Sequence, residues 1–178
     1  MFIQNLTKMR TIFSFSIVLV LLIQACTIES KPKQFTLDQE TINNLIETWH
    51  QAATDADFDT YFACMTESSY FIGTDASEKW NTNEFKAFCK PIFDRGSAWE
   101  FKTIKRQIFI SEQGDVAWFD EQLDTWMGVC MSSGVVVRTD EGWKIEHYQL
   151  SIAVPNDVVD DFISLVKKYE ENKVNEKE

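Results

Sequence analysis

Two periods divide this chain. Over residues 36–92 apolar side chains mostly recur every three or four positions, and over residues 98–154 they recur every second position. The first spacing marks the buried stripe of a helix, the second the buried face of a strand. Thr36 and Gln39 stand at capping-box spacing and open a helix with the stripe Ile42, Leu45, Ile46, Trp49 and Ala53. That stripe stops at Thr54-Asp55-Ala56-Asp57, where Asp57 can cap a shorter helix carrying Phe58, Tyr61, Phe62 and Met65 inward. Ser69-Tyr70-Phe71-Ile72 reads as a strand ended by Gly73. A loop follows to Trp80, and then Asn81 and Glu84 start a third helix with Phe85, Phe88 and Ile92 on its stripe. Pro91 predicts a kink or an early end there, and Gly96 a stop.

The strands expected next are 98–110, 116–126, 129–138 and 143–154. They turn at Gly114-Asp115, Met127-Gly128 and Asp140-Glu141-Gly142. Pro155-Asn156-Asp157 then opens a last helix with Val158, Val159, Phe162, Ile163 and Val166, and the polar tail after Lys167 is expected to fray. The predicted class is α+β: a curved antiparallel sheet, made of a four-strand meander plus one earlier strand, wrapped around N-terminal helices. A short C-terminal helix completes it. There is no internal repeat and no second domain.

Alternation also assigns faces. On the last strand Trp143, Ile145, His147, Gln149 and Ser151 share one side, grading from apolar to polar, as a wall does that runs from core into a cavity. On the second strand of the meander Ala117, Phe119, Glu121 and Leu123 form the more apolar face. Trp118, Asp120 and Gln122 form the other, so Glu121 is expected inward and Asp120 outward unless a bulge intervenes. His50 lies about 100° from the first helix's stripe and is expected at its edge or on the surface.

The first 25 residues stand apart from this fold. Lys8 and Arg10 precede an apolar run, 12–23, too short to span a bilayer and laid out as a secretory signal. It ends Ile23-Gln24-Ala25-Cys26, which resembles the lipobox of bacterial lipoproteins, so Cys26 is the expected lipidation site and residues 26–35 a tether. The leader holds two of the 17 basic residues and none of the 28 acidic ones, which leaves the rest of the chain at a net −13. Such acidity argues against nucleic acid or anionic lipid as a partner. Cys64, Cys89 and Cys130 are odd in number, lack CxxC spacing and sit among apolar residues, so buried thiols are expected; one disulfide stays open. No two His stand at ligand spacing, no Gly-rich phosphate loop occurs, and no metal or cofactor is expected.

The order helix, helix, strand, helix, four-strand meander resembles the cone-shaped α+β barrels of the nuclear transport factor 2-like superfamily. Trp49-His50-x-Ala52, Asp57-Phe58-Asp59-x-Tyr61-Phe62, Phe71-Ile72-Gly73-Thr74-Asp75-Ala76-x-Glu78-x-Trp80, Ala117-Trp118-Phe119-Asp120-Glu121, Ser133-Gly134-Val135 and Trp143-Lys144-Ile145-x-His147-Tyr148-x-Leu150-Ser151 look like its SnoaL-like branch. The likeness covers residues 37 to about 154, and the domain is expected at 36–170, with a frayed polar tail at 171–178. One departure stands out: where the pattern commonly carries an arginine, this chain has Met131 or Ser132. The resemblance implies the fold far more firmly than the function, because the superfamily holds isomerases, cyclases, dehydratases, inert binding domains and oligomerisation modules.

Three functions follow as expectations. The first is an envelope-anchored lipoprotein whose cone binds a small apolar or aromatic molecule, with Trp49, Asp75, Trp80, Trp118, Ile145 and Gln149 as ligand-binding residues. The second is an acid–base enzyme in which Glu121 or Asp120 works with His147, a scheme that needs a carboxylate raised by burial and within hydrogen-bond reach of the imidazole. The third is a scaffold that forms a homodimer through the outer face of its sheet.

Overall fold

The computed structural model describes residues 31–175, with side chains from residue 35 onward. The leader, Cys26 and the last three residues lie outside the described residues. Residues from Asp38 onward form one compact unit, which carries the core and the site described below.

Helix α1 (Lys31–Thr54) is followed by α2 (Phe58–Ala63), β1 (Met65–Ile72), β2 (Lys79–Asn81) and α3 (Thr82–Phe93). The meander is β3 (Lys102–Ile110), β4 (Val116–Thr125), β5 (Gly128–Thr139) and β6 (Gly142–Ile152); a 3-10 turn at Asn156–Val158 leads into α4 (Val159–Asn175). Two of the four helix starts are set by the expected caps, whereas α1 begins at Lys31, ahead of the expected start at Thr36 and inside the expected tether. Asp57 accepts a hydrogen bond from Thr60 N, and Asn81 and Glu84 form a complete capping box at the head of α3. α3 runs through Pro91 to Phe93, and the turn after it closes at Gly96, which takes the left-handed conformation of a helix stop.

The sheet differs from expectation in two ways. It has six strands, ordered β2-β1-β6-β5-β4-β3, because residues 79–81 of the expected loop pair with β1 as an edge strand. The early strand also lies parallel to β6, so the sheet is mixed, and only the meander and the β1–β2 pair are antiparallel. The last helix is longer than expected. It runs through the Lys- and Glu-rich segment to Asn175, whose residues are good helix formers with opposite charges three and four positions apart. None of its side chains is buried.

The sheet's concave face, α1, α2 and α3 enclose one core. Ala117, Phe119, Glu121 and Leu123 of β4 face inward, as do Cys130, Ser132, Gly134 and Val136 of β5. On β6 the parity breaks. Val135 pairs with His147 but the next residue, Val136, pairs with Ile145, so Glu146 is an extra residue in a β-bulge. The inward set of β6 is therefore Trp143, Ile145, Tyr148 and Leu150. His147 and Gln149, expected on the wall with Ile145, lie on the outer side. The bulged Glu146 is held by Thr66 and Ser68 of β1, whose hydroxyls donate to its carboxylate.

Cys64, Cys89 and Cys130 are free and buried. Burial pushes the Cys64 thiol up to about 11 and the Cys89 thiol further, so neither is a ready nucleophile near neutral pH. No helix among the described residues is long and apolar enough to cross a membrane.

Candidate functional site

The polar heart of the core is Glu121. It sits inside a row that crosses three strands in register, Arg106 on β3, Glu121 on β4 and Ser132 on β5. Its side chain is 0% exposed. Oε1 meets His50 Nε2 at 3.0 Å and accepts from the Ser132 hydroxyl at 2.8 Å and the Tyr148 hydroxyl at 3.1 Å. Oε2 accepts from Arg106 Nε at 2.8 Å and approaches Nη2 at 2.7 Å. The guanidinium has further partners: Nη1 donates to Asn43 and Glu47 of α1, and Nη2 to Thr103. Arg106 thus makes four hydrogen bonds and a close ion pair, and the carboxylate is surrounded by donors.

Burial by itself would push the Glu121 carboxyl up. The hydrogen bond and charge of His50, the charge of Arg106 and the Ser132 hydroxyl outweigh it and hold the group down at about 2. A carboxylate that holds its proton so weakly is a poor general base near neutrality. Burial, and then the Glu121 charge, push the Tyr148 hydroxyl well above its ordinary range, so it stays a neutral donor.

Above this cluster the interior is aromatic. Trp49 packs edge-on against Tyr148 with ring centroids 4.6 Å apart and stacks on Tyr61 at 5.0 Å. Phe71 stacks on Phe85 at 4.1 Å. The loop between α3 and β3 brings Trp99 to within 5.7 Å of Tyr61 and Phe101 to within 6.0 Å of His50, both rings half-buried. Two polar atoms of this interior, Trp49 Nε1 and Tyr61 Oη, are buried and have no hydrogen-bond partner among the described residues.

The expected site residues divide between the two sides of the sheet. Glu121 is inward as its alternation indicated, and Trp49 and Ile145 are buried with it. Asp120 is exposed on the outer face, and the bulge places His147 there too. Glu121 and His147 are therefore on opposite sides, and the imidazole that meets the carboxylate belongs to His50, expected at the surface but only 4% exposed. Trp118 is 48% exposed, stacked on Phe109 outside the core, and Gln149 is also outside. Asp75 turns back on its own loop, accepting from Ser77 N and Oγ in an Asx turn. Trp80 stacks on Phe88 and Phe85 and pins that loop to α3.

Sequence reading missed Arg106, Ser132 and Tyr148. A signal for Arg106 lies in the register: the hairpin closes at Ser111 and Val116, which sets Arg106 opposite Glu121. The arginine that the SnoaL-like pattern commonly carries near Met131 or Ser132 is absent here, and Arg106 brings a cation to the carboxylate from the neighbouring strand. Among the described residues no group of three His, Cys, Asp or Glu side chains is disposed to hold a metal ion.

A SnoaL-like domain family matches residues 42–155, most of the chain and every element of this site. The chain belongs to the SnoaL-like family. No curated protein matches it. Among solved structures, the SnoaL-like domain is similar to a domain of unknown function with a cystatin-like fold from Nostoc punctiforme, at 20% identity over 79% of this chain and 94% of that one, with a TM-score of 0.59. It is also similar to a nuclear transport factor 2-like protein from Streptomyces avermitilis proposed as a dehydratase (15% identity, 67% and 99% covered, TM-score 0.59). A third is a protein from Novosphingobium aromaticivorans proposed as an aromatic ring hydroxylase (19% identity, 67% and 92% covered, TM-score 0.57). At these identities the likeness establishes the fold alone, and that cystatin-like architecture agrees with the six-strand sheet and N-terminal helices described above.

Proposed function

We propose that this SnoaL-like protein binds a small apolar or aromatic molecule inside its cone and does not turn it over. The observation that supports the reading is the division of the interior: a packed aromatic region, with Trp49, Tyr61, Phe71 and Tyr148, lies beside the buried Glu121 carboxylate. Apolar walls with a few fixed polar groups are the usual make-up of a small-molecule site. The acid–base alternative draws no support from Glu121, which is held at about 2, or from His147, which faces the other way. A thermal-shift screen of hydrophobic metabolites against the full chain tests the reading. Saturating binders are expected to raise the melting temperature, with stabilisation of about 2.7 kcal/mol at a hundredfold excess over Kd. A screen in which no aromatic compound shifts it removes the proposal.

The location we propose is a bacterial envelope, with Cys26 carrying the lipid anchor; the signal-like leader and the lipobox resemblance support it. Fatty-acid labelling of cells is expected to mark the wild type and not Cys26→Ser. Equal labelling of the two would reject the anchor.

A specific observation favours a second reading, the homodimer. Phe109, Trp118, Val135, His147 and Tyr70 are paired in succession across five strands and form one row on the outer face. Three of these rings are more than 40% exposed. Apolar rows of this kind commonly mark an association surface. Sedimentation of the full chain at micromolar concentration is expected to give a dimer that Trp118→Glu converts to monomer; a monomeric wild type would exclude it.

A further inference from the structure

Outside the cone and independent of its contents, we infer a second binding site at the free edge of β3. Its ligand is an extended, neutral or basic segment of another polypeptide, which joins the sheet as an added strand. β3 is the last strand of the sheet, and among the described residues only β4 pairs with it. At the closing turn Ser111 N donates to Val116 O. Bonded and non-bonded pairs alternate along an antiparallel ladder, so Phe109 and Gln107 bond β4 while Ile110, Ile108 and Arg106 turn their N–H and C=O groups outward. The Ile108 carbonyl follows this parity, because it accepts from the side-chain amide of Gln39 at 3.0 Å. That amide stands where the N–H of a neighbouring strand would stand. Lysines and bulges blunt natural sheet edges, and the first half of β3 has both, in Lys102, Lys105 and the irregularity between Thr103 and Lys105. The second half, Gln107-Ile108-Phe109-Ile110, is rich in β-formers and has neither.

Beside that edge lies a cleft of about 500 Å³, lined by Gln39, Glu40, Asn43 and Asn44 of α1 and by Arg106 and Ile108 of β3. An extended chain has hydrogen-bonding groups along both of its edges. One would meet the outward groups of β3, and the other the side-chain amides of α1, which carry donors and acceptors alike. Strand addition to a free edge is a recurrent mode of peptide recognition. Charge narrows the partner. Glu40 stands in the cleft, and the Arg106 charge is already met by Glu121 and Glu47, so an acidic segment is repelled. A second copy fits worse, because its β3 would arrive with its own α1 and set one Glu40 against the other. A segment with no helix beside it brings main chain alone.

The test titrates the full chain with a capped hexapeptide of alternating Thr and Val, and with the same peptide N-methylated along both edges. The unmodified peptide is expected to bind about tenfold more tightly, the margin two main-chain hydrogen bonds of modest net strength would give. Lysine in place of its threonines should tighten binding, and glutamate should weaken it. Gln39→Ala should tighten binding several-fold, because it vacates the Ile108 carbonyl. Ile108→Pro should abolish binding in a protein that still folds, since the N–H it removes takes no part in the β3–β4 ladder. Equal affinity for the two peptides overturns strand addition, and no binding by either removes the site. Weaker binding by Gln39→Ala makes that amide a peptide contact and overturns its role as a stand-in for a strand. Sedimentation in which Gln39→Ala assembles further than the wild type gives the edge to a second copy and overturns the choice of partner. If Ile108→Pro does not fold, the peptide pair and Gln39→Ala decide.

Discussion

Glu121→Ala is expected to cost about 3–5 kcal/mol of folding stability, enough to leave the domain largely unfolded or close to it. The loss does not come from the carboxylate itself. It comes from leaving the Arg106 guanidinium, 3% exposed, without its main counter-charge, together with three donors on His50, Ser132 and Tyr148. Glu121→Gln keeps the shape and should also be damaging, because it leaves Arg106 with only the exposed Glu47 as counter-charge and turns an N–H₂ toward donors. Urea unfolding of the full chain measures both. A cost below about 1 kcal/mol for either variant would show that the cluster contributes little net stability.

The same group sets a pH dependence. Its value is depressed in the folded state, from 4.5 to about 2. The stabilisation is therefore fully present above about 4.5 and is lost as pH falls from there through about 2, a total of roughly 3 kcal/mol. Denaturation midpoints collected between pH 6 and pH 2 should fall over that window in the wild type, with a shallower slope in Glu121→Gln.

Gly134→Ala is the other large effect. A Cβ on Gly134 would sit 2.5 Å from Cε1 and Cζ of Phe119 and 2.8 Å from the backbone oxygen of His147. The Phe119 ring lies across the strand at this point, and the close approach leaves space for no side chain. Over-packing of this kind costs about 1–3 kcal/mol when side chains yield, and more where backbone has to move. Phe119→Leu in the Gly134→Ala background is expected to recover part of the loss, because the ring clash is relieved and the clash with the His147 carbonyl is not. A double-mutant cycle with favourable coupling confirms this arrangement; strict additivity contradicts it.

Much of the fold was legible, and the reasons are local. Period-two alternation located all four strands of the meander and turned Glu121 inward, because β4 is paired on both sides without a bulge and keeps its parity for ten residues. On β6 one extra residue, Glu146, reverses the parity after Ile145. Alternation contains no sign of such an insertion, so His147 and Gln149 were assigned to the wrong side. His50 was misplaced for a different reason. A single narrow stripe suits a helix lying on one flat surface, whereas α1 is enclosed by a curved sheet and buries a wider arc. Ile46 and Ala53, four before and three after His50, are both buried and place it on that arc. Arg106 sits in the polar string Lys105-Arg106-Gln107, where nothing but strand register separates an inward cation from its exposed neighbours. A register irregularity between Thr103 and Lys105 alters the faces just before it. Trp49 Nε1 and Tyr61 Oη could not be read at all, because an unmet hydrogen bond is a property of assembled side chains.

The parallel pairing of β1 with β6 has a consequence for how the protein is made. β1 is among the first strands to leave the ribosome and β6 is the last, yet they are neighbours in the finished sheet, Tyr70 beside His147 and Phe71 beside Tyr148. Until β6 emerges, β1 has only the short edge strand β2 to pair with, and Trp49, Tyr61 and Phe71 lack the Tyr148 side of their enclosure. Contacts this distant in sequence form late, after the entropy of closing the intervening chain has been overcome. The core therefore closes only once β6 has been made, and a chain cut short before β6 is left with β1 and the helices unsealed.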